Sequence, residues 1–594
     1  MNVFKHTVRL VCLALIFILT AGVFVGCGDS SDKNTSSDAS AADDIFSSAD
    51  VKWTDANGEA VYRIVRPDGG DSAAAGQIFK QIKSTLGVNI KNMTDTEDGT
   101  DVYEILVGET NRPETKQARD YLLTNVGGRV DDYIICTIGK KIVIYGMSRD
   151  ALTAAAEYFT ANFVKPEGVK GGIKYFYAKK DGYTDAAING VPINKFVFVR
   201  QRYNTSYVTQ VQIEEAIALI TEKTGFALEL VEDNAEAAQY EIIVGDAKRD
   251  GVEKITDKDQ YSVKISGNKV YLNGGSPSAK GMAVSEFAKM LQSGAVTDQN
   301  SVTGSYAETV ATYDDSKLYK TVWSDDFDAP SDTHPTGVDL NKWVFMNDGS
   351  TGHNGRKSSR SQDPAHLFVK NGMLNFYATY DEERYYGFKI VTKYKMEFQY
   401  GVLEMSAILP DSGSTGSFWI ALWAATIHEN NPTAFNPEIN VVEMFGNSAS
   451  FASNMHGWAN KFQMDYYNSY WAPQGVKDHW SLDGTYSNDK KYYCPEGKFN
   501  DGLHTFSYVW TKDLCSFACD GNVFFSLDPN EKQQWNETFA QPLYIILSQA
   551  TSFKARDKCL ADDAPEWTAS NNFQIDYVHV YQKNDGVHMF RYLE

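Results

Sequence analysis

Cysteine is scarce in this chain, seven in 594 residues, and no two show the C-x-x-C spacing of zinc ligands. No zinc site is expected. Basic residues are short as well: 56 Lys and Arg stand against 77 Asp and Glu, a formal net charge of −21. A surface of that sign repels polyanions, so nucleic acid and anionic membrane surfaces are not expected as main partners, and a soluble acidic exterior is. Cys12 and Cys27 belong to the N-terminal segment. The five that remain, Cys136, Cys494, Cys515, Cys519 and Cys559, are odd in number and cannot all pair within one chain. Cys515 and Cys519 would share a face of a strand but lie too far apart along it to bond.

What is present begins at the N-terminus. "MNVFKHTVRLVCLALIFILTAGVFVGCGDSS" carries Lys5 and Arg9, then an apolar run, then small residues before Cys27. This reads as an export signal over residues 1–26. "FVGC" resembles the lipobox of bacterial lipoproteins, with Phe24 where Leu is usual, and the resemblance implies a lipidated Cys27. A plain transmembrane anchor is the alternative, although the run is marginal for a span. Both readings place the rest outside the cytoplasm, the first as a lipid-anchored protein of a bacterial cell surface. Residues 27–50 are Ser, Asp and Ala with few apolar side chains. They read as a flexible tether.

A chain of this length is too long for one core, and three or four domains are expected. From about 51 to 312 it repeats itself. "YEILVGETNR" (103–112) recurs as "YEIIVGDAKR" (240–249), and the segment 131–159 recurs at 259–287. Helical spacing precedes each copy in "AAAGQIFKQIKSTLG" and "QIEEAIALITEKTG". Gly139-Lys140 and Gly267-Asn268 separate alternating runs as hairpin turns do. Ser148 and Ser276 can cap the helices that follow. Two α+β modules are expected, at 51–180 and 190–312, each a small sheet with helices on one face. They resemble small accessory domains of extracellular carbohydrate-active proteins, as spacers or as glycan-binding units.

The texture changes after about 316. Ten of the eleven tryptophans lie there. Short alternating runs such as "MLNFYAT", "GVLEMSAIL", "FWIALWAA", "INVVEMF", "HTFSYVW" and "FQIDYVHVYQ" follow at close spacing, and Asp520-Gly521 marks a hairpin. A β-sandwich over 316–584 is the expected architecture. Within it, "FNPEINVVEMFGN" (435–447) holds two glutamates five apart. On a regular strand Glu438 and Asn440 face together and Glu443 faces away. One β-bulge between them returns Glu443 to the same side. On a bent, concave strand, two inward-leaning glutamates can then close to the ~5–5.5 Å of a retaining glycosidase pair. Such a pair more often consists of ordinary surface and bulge residues.

The ordered segments "WSDDFD", "LNKW", "VKNGMLNFYAT", "FQYGVLEMSAILP", "FWIALW", "NMHGW", "DGLHTFSYVWT", "FACDGNVFF" and "FQIDYVHVYQ" together resemble glycoside hydrolase family 16, whose bulged branch carries E-x-D-x-x-E. The resemblance implies an all-β jelly-roll sandwich (concanavalin-like) and an endo-acting retaining hydrolase of a β-linked polysaccharide, with β-1,3- or β-1,3-1,4-glucan expected. It implies Glu438 as nucleophile, Glu443 as general acid/base, and Trp419, Trp423, His456, Trp458 and Gln549 as substrate-binding residues. Tryptophan rings suit the apolar faces of sugars; core packing is the alternative for Trp423. No cofactor is required; a structural calcium near Asp576 is implied, with a stabilising role. The expected partners are the polysaccharide and, through the anchor, the membrane, for a monomeric protein.

Three departures qualify this. Asn440 stands where the family has Asp; it can donate a hydrogen bond to Glu438 but supplies no charge to keep Glu443 protonated, so an acid-shifted or weakened activity is expected. Met405 replaces a common Arg, and Ser548-Gln549 stand where Asn is usual. The stretch 457–499 is too long for a simple connection and reads as a cleft-covering insertion. A transglycosylase or a non-hydrolytic glycan-binding protein on the same fold are the alternatives.

Overall fold

The computed structural model describes residues 45–593, apart from 71, 180, 314–316, 347–350, 353–355, 361, 378, 381–384, 412–417, 428–435, 446–447, 459–491, 532 and 552–571. The export signal, Cys27, residues 27–44 of the tether, most of the 457–499 insertion and Cys559 therefore lie outside the described residues. The chain divides into two compact units.

The first unit is built on a six-stranded sheet. Its strands are β1 (Arg63–Arg66), β2 (Asn92–Thr94), β3 (Glu104–Val107), β4 (Tyr133–Ile138), β5 (Lys141–Gly146) and β6 (Lys174–Tyr177), in the order β2-β1-β3-β5-β4-β6. Helices α1 (Ala73–Leu86), α2 (Pro113–Tyr121) and α3 (Arg149–Asn162) connect them. The Ser148 hydroxyl accepts from the Ala151 N–H at 3.1 Å, at the start of α3. Glu104, fully buried, is paired with Arg63, Arg112 and Lys141. Three cations around one carboxylate offset its desolvation.

The second unit contains the second module and the β-sandwich. The module's sheet comprises β7 (Val197–Arg200), β8 (Leu230–Glu232), β9 (Glu241–Val244), β10 (Gln260–Ser266), β11 (Lys269–Gly274) and β12 (Val302–Ser305), in the order β8-β7-β9-β11-β10-β12. The pattern of the first sheet is thus repeated strand for strand. Each sheet opens with a parallel strand ahead of its first helix, β1 and β7, which the repeated segments do not include. Helices α4 (Tyr207–Thr224) and α5 (Pro277–Leu291) cover one face with Ile213, Ile220, Met282 and Phe287. Ser276 caps α5 by accepting from the Ala279 N–H.

Two sheets form the sandwich. The outer one runs β14 (Leu367–Lys370), β15 (Met373–Phe376), β25 (Phe573–Gln582), β17 (Gly401–Ile408), β21 (His504–Trp510), β22 (Cys515–Cys519), β23 (Asn522–Leu527), and β13 (Lys320–Asp325) also pairs β25. The inner sheet has at its centre β16 (Tyr385–Val391), β24 (Tyr544–Thr551), β18 (Phe418–Ala425), β19 (Asn436–Phe445) and β20 (Ser450–Trp458), in that order. Between the sheets lies one apolar core, to which Leu403, Met405, Ile420, Leu422, Val441, Phe506, Leu547 and Val578 contribute. Met405 is therefore a core residue. The turn from β22 to β23 has Asp520 at φ +49° and Gly521 at φ +79°, both left-handed, which suits the twist of a tight hairpin.

Alternation along β17 sends Leu403, Met405 and Ala407 into the core and Val402, Glu404 and Ser406 to the opposite face. The second module lies on that outer face. Glu404, fully buried, accepts from the Tyr207 N–H, the Ser507 hydroxyl and the Tyr577 hydroxyl, each at 2.8 Å. Tyr207 is the first residue of α4, so a carboxylate of the sandwich caps a helix of the module, where the helix dipole favours negative charge. Around it Arg200 donates to the Asp520 carbonyl and to Asn522 Oδ1, both at 2.9 Å. The Asn204 N–H donates to Asp520 Oδ1 at 2.8 Å, and Thr505 Oγ1 donates to the Thr205 carbonyl at 2.6 Å. Val208, Tyr319, Val402, Val509 and Tyr581 fill the seam. The second module and the sandwich each keep an apolar core of their own and meet through this seam.

Glu404→Ala removes the acceptor for three buried donors and should cost about 3 kcal/mol. Urea unfolding of the full chain measures this; a loss under about 1 kcal/mol would show that the cap is not a stabilising contact.

Candidate active site

The inner sheet presents one face to the core and the other outward. Registers along it fix which residues share the outward face. Ala421, Trp423 and Ala425 of β18 pair with Glu443, Asn440 and Glu438 of β19. The register shifts between Leu422 and Trp423 on one side of β19, and between Asn440 and Glu443 on the other. Val441 and Val442 are both in the core. Two successive inward side chains are the signature of a bulge. The extra residue puts Glu438, Asn440 and Glu443 on a single face.

These side chains form one hydrogen-bonded row with a neighbour on β20. Asn440 Nδ2 donates to Glu438 Oε1 at 3.1 Å and to Asn454 Oδ1 at 2.6 Å. Asn454 Nδ2 donates in turn to Glu443 Oε2 at 2.8 Å. Trp419 Nε1 donates to Glu443 Oε1 at 2.9 Å. Both amides are buried, Asn440 at 4 % and Asn454 at 9 % exposure, while the two glutamates are half-buried. Two N–H donors on Glu443 favour its charged form.

Trp419 therefore lies at the site through its indole N–H. Trp423 is on the same face; its Nε1 donates to Ser548 Oγ at 3.0 Å, and the Lys389 ammonium sits 5.0 Å from its ring centroid. It is not a residue of the central core. His456 is in register with Glu438, and Trp458 with Asn436; their side chains lie outside the described residues, as do Trp471 and Trp480.

Gln549 does not line this face. It pairs with Ile420 and Phe388, both core residues, so alternation turns it inward. It is 2 % exposed, and neither its amide oxygen nor its nitrogen has a partner among the described residues. Its neighbour Ser548 takes the outward place and holds Trp423. Sequence reasoning missed Ser548 by one residue of strand phase, and it missed Asn454. The signal for Asn454 was its position two before His456 on a strand that must pair with β19.

Asp576 sits at a bulge between Ser406 and Ala407 pairings, on the outer face beneath the second module. Ser406 Oγ donates to its Oδ2 at 3.2 Å, and burial pushes the carboxyl up. Nearby Asp326 is taken by His579 Nε2 at 2.7 Å and by Lys258 at 3.1 Å; Asp328 also pairs with Lys258. Calcium takes six to eight oxygens. One carboxylate turned to a hydroxyl, beside a lysine already serving its acidic neighbours, does not fit that cation. Among the described residues the group with metal-ligand side chains in proximity is His504, Cys519 and Asp520. His504 Nδ1 is bonded to Asp520 Oδ2 at 2.8 Å, and Asp520 Oδ1 accepts from the Thr505 and Asn204 N–H groups. These contacts belong to the junction with the second module. The cysteines 136, 494, 515 and 519 are free thiols.

With this geometry in place, the chain can be compared with known proteins. No family model matches it. Its similarity is to enzymes that cleave β-1,3-glucans. Over 294 residues, 44 % of the chain, it is 26 % identical to glucan endo-1,3-beta-glucosidase A1 of Niallia circulans, and the match spans 38 % of that relative's length. Solved structures with similarity include SCLam, a non-specific endo-beta-1,3(4)-glucanase from family GH16 (23 % identity, TM-score 0.34, 45 % of this chain and 92 % of that one). The laminarinase catalytic domain from Thermotoga maritima gives 24 % identity and a TM-score of 0.32, over 45 % of this chain and 99 % of that one. The laminarinase from Rhodothermus marinus gives 20 % and 0.33, over 46 % and 98 %.

Two outcomes follow from these placements. Gln549→Met keeps the volume and removes an unpartnered buried amide, so it should raise stability by about 1–2 kcal/mol and leave glycan affinity unchanged, as read by urea unfolding and a binding titration. A role in substrate contact would instead weaken binding. Burial alone would raise the Asp326 carboxyl, but His579 and then Lys258 outweigh it and hold it down at about 2. Against an unfolded value of ~3.9, its stabilising contribution is complete above that value and is lost as pH falls toward about 2. Thermal melts between pH 5 and 2 should show that loss, and Asp326→Asn should flatten the slope.

Proposed function

We propose that the chain is an endo-acting retaining glycoside hydrolase of the family 16 type, held at a bacterial cell surface by a lipid on Cys27 and acting as a monomer on a β-1,3- or β-1,3-1,4-glucan. One observation carries the reading: the bulge in β19 that sets Glu438 and Glu443 on the outward face of a sandwich sheet, joined by buried amides. The similarity to a glucan endo-1,3-beta-glucosidase over 44 % of the chain supports it.

Glu438 attacks the anomeric carbon and forms a covalent glycosyl-enzyme while Glu443 protonates the leaving oxygen. Glu443 then draws a proton from water as the water oxygen attacks the anomeric carbon and displaces the Glu438 carboxylate, which gives net retention. Trp419 orients Glu443 through its indole N–H. Trp423 offers a ring at the same face, held by Ser548. Glu443 receives N–H donors on both oxygens, so the protonated form required for the first step is favoured at acid pH. That same bias gives one alternative substance: a site in which Glu443 stays charged holds a glycan without cutting it.

The test incubates the full chain with laminarin, lichenan and algal galactans from pH 4 to 8, following reducing ends and the anomeric configuration of products. Cleavage of a β-glucan with retention, strongest at the acid end and reduced about 10²–10⁴-fold in Glu443→Gln, is expected, together with loss in Glu438→Ala. Binding of a glycan with no product at any pH would leave the non-hydrolytic reading in its place, and transfer products longer than the substrate would mark a transglycosylase.

A further inference from the structure

The four polar side chains of the site are linked in a definite direction. Asn440 spends both hydrogens of its amide nitrogen, one on Glu438 and one on Asn454 Oδ1. Asn454 therefore has its carbonyl end turned to Asn440 and its nitrogen turned to Glu443. An amide has one donor end and one acceptor end, and a flip exchanges them. The orientation of Asn454 is thus dictated by what residue 440 offers.

A carboxylate at 440 offers no donor. Asn454 would then turn its nitrogen to residue 440 and its carbonyl to Glu443. Two acceptor oxygens would face each other, and only a proton on Glu443 would reconcile them, giving an O–H donated to Asn454. With asparagine at 440 the opposite holds: Glu443 receives an N–H and is favoured as the anion. We propose that Asn454 is a positioning residue, a two-way relay through which residue 440 selects the protonation state of Glu443. This deepens the reading of Glu443 as the acid/base and rests on it. It also changes how the asparagine acts. The effect of Asn440 is delivered through a hydrogen-bond direction, beyond the mere absence of a charge.

Among the described residues, the groups that face Glu443 can be named strand by strand. On its own strand Glu443 has Glu438 as charged neighbour. On β18 it faces Ala421 and Trp419, and on β20 it faces Ala452 and Asn454. In the same row, β24 and β16 contribute Ser548 and Lys389, and Lys389 lies over the Trp423 ring. His456 is the further titratable residue on β20, in register with Glu438. Both amides are buried, so solvent does not compete for their hydrogen bonds.

The experiment needs no substrate. The full chain is labelled with glutamate carrying carbon-13 at the side-chain carboxyl, and the Glu443 resonance is assigned by its loss in Glu443→Gln. Its titration is followed in the natural sequence, in Asn440→Asp, and in each of these combined with Asn454→Leu. The expected result is a Glu443 midpoint that rises by at least one pH unit in Asn440→Asp, and a rise cut to less than a third of that when Asn454 is Leu. Asn454→Ala, which leaves space instead of filling it, is run in parallel, so a packing defect in one variant does not decide the outcome. An Asn440→Asp shift of the same size with and without Asn454 overturns the relay in favour of direct charge. No shift at all overturns both. Because the readout is a resonance and not a product, a relay that titrates as expected in a chain that cuts no glycan would remove the hydrolase reading while leaving the relay standing.

Discussion

The site depends on a single extra residue in β19. Without the bulge at Val441 and Val442, strand alternation would place Glu443 in the core, where an unpaired carboxylate costs several kcal/mol, and a valine at the surface. With it, two valines enter the core in succession and three polar side chains share the outward face. The core enforces this register. Ile439, Val441, Val442 and Met444 are all buried against the outer sheet, and a slip of one residue would expose the whole set. The apolar interior therefore fixes where the carboxylates stand, before any hydrogen bond among them forms.

Polar linkage then refines what the register provides. Glu438 and Glu443 do not touch solvent groups alone; each is held by a side-chain amide, and the two amides hold each other. Such a chain has a polarity, since every member must donate where its neighbour accepts. In a buried setting that polarity is energetically stiff, because a reversed amide would set two acceptors or two donors in contact. A substitution that alters shape very little, Asp to Asn, can thereby alter the protonation preference of a carboxylate two hydrogen bonds away.

Much of this was legible in the sequence. The doubled segments at 103–112 and 240–249 lie on equivalent strands, β3 and β9, of sheets with the same order. The Asp520-Gly521 turn follows from the left-handed backbone that those residues tolerate. The spacing of Glu438 and Glu443 already required a bulge. What escaped was phase and partnership. Gln549 and Ser548 are adjacent, and only the pairing of β24 with β18 says which one faces outward. Asn454 becomes meaningful only once β20 is laid beside β19. Asp576 resembled a calcium ligand because nothing in its own strand reveals that a lysine and a helix from a module some 300 residues earlier cover that face.

That covering explains why the second module is more than a spacer in the fold. The outer sheet presents Glu404, Ser406, Asp576 and His579, a polar face that a free sandwich would hydrate. The module replaces that water with the N-terminus of α4, the Asn204 amide and Lys258. The Tyr207 N–H and the Lys258 ammonium are set against carboxylates, and the Asn204 side-chain oxygen accepts from the Ser406 hydroxyl, so the match is electrostatic as well as steric. Position 326 illustrates the consequence: its carboxyl is partly buried yet held down at about 2 by His579 and Lys258. A buried charge is stable only with its partner present. The strands of β17 and β25 that carry these groups on their outer side carry core residues on the other. The module thus braces the outer sheet, and through the shared core it braces the inner sheet on which the two glutamates are placed.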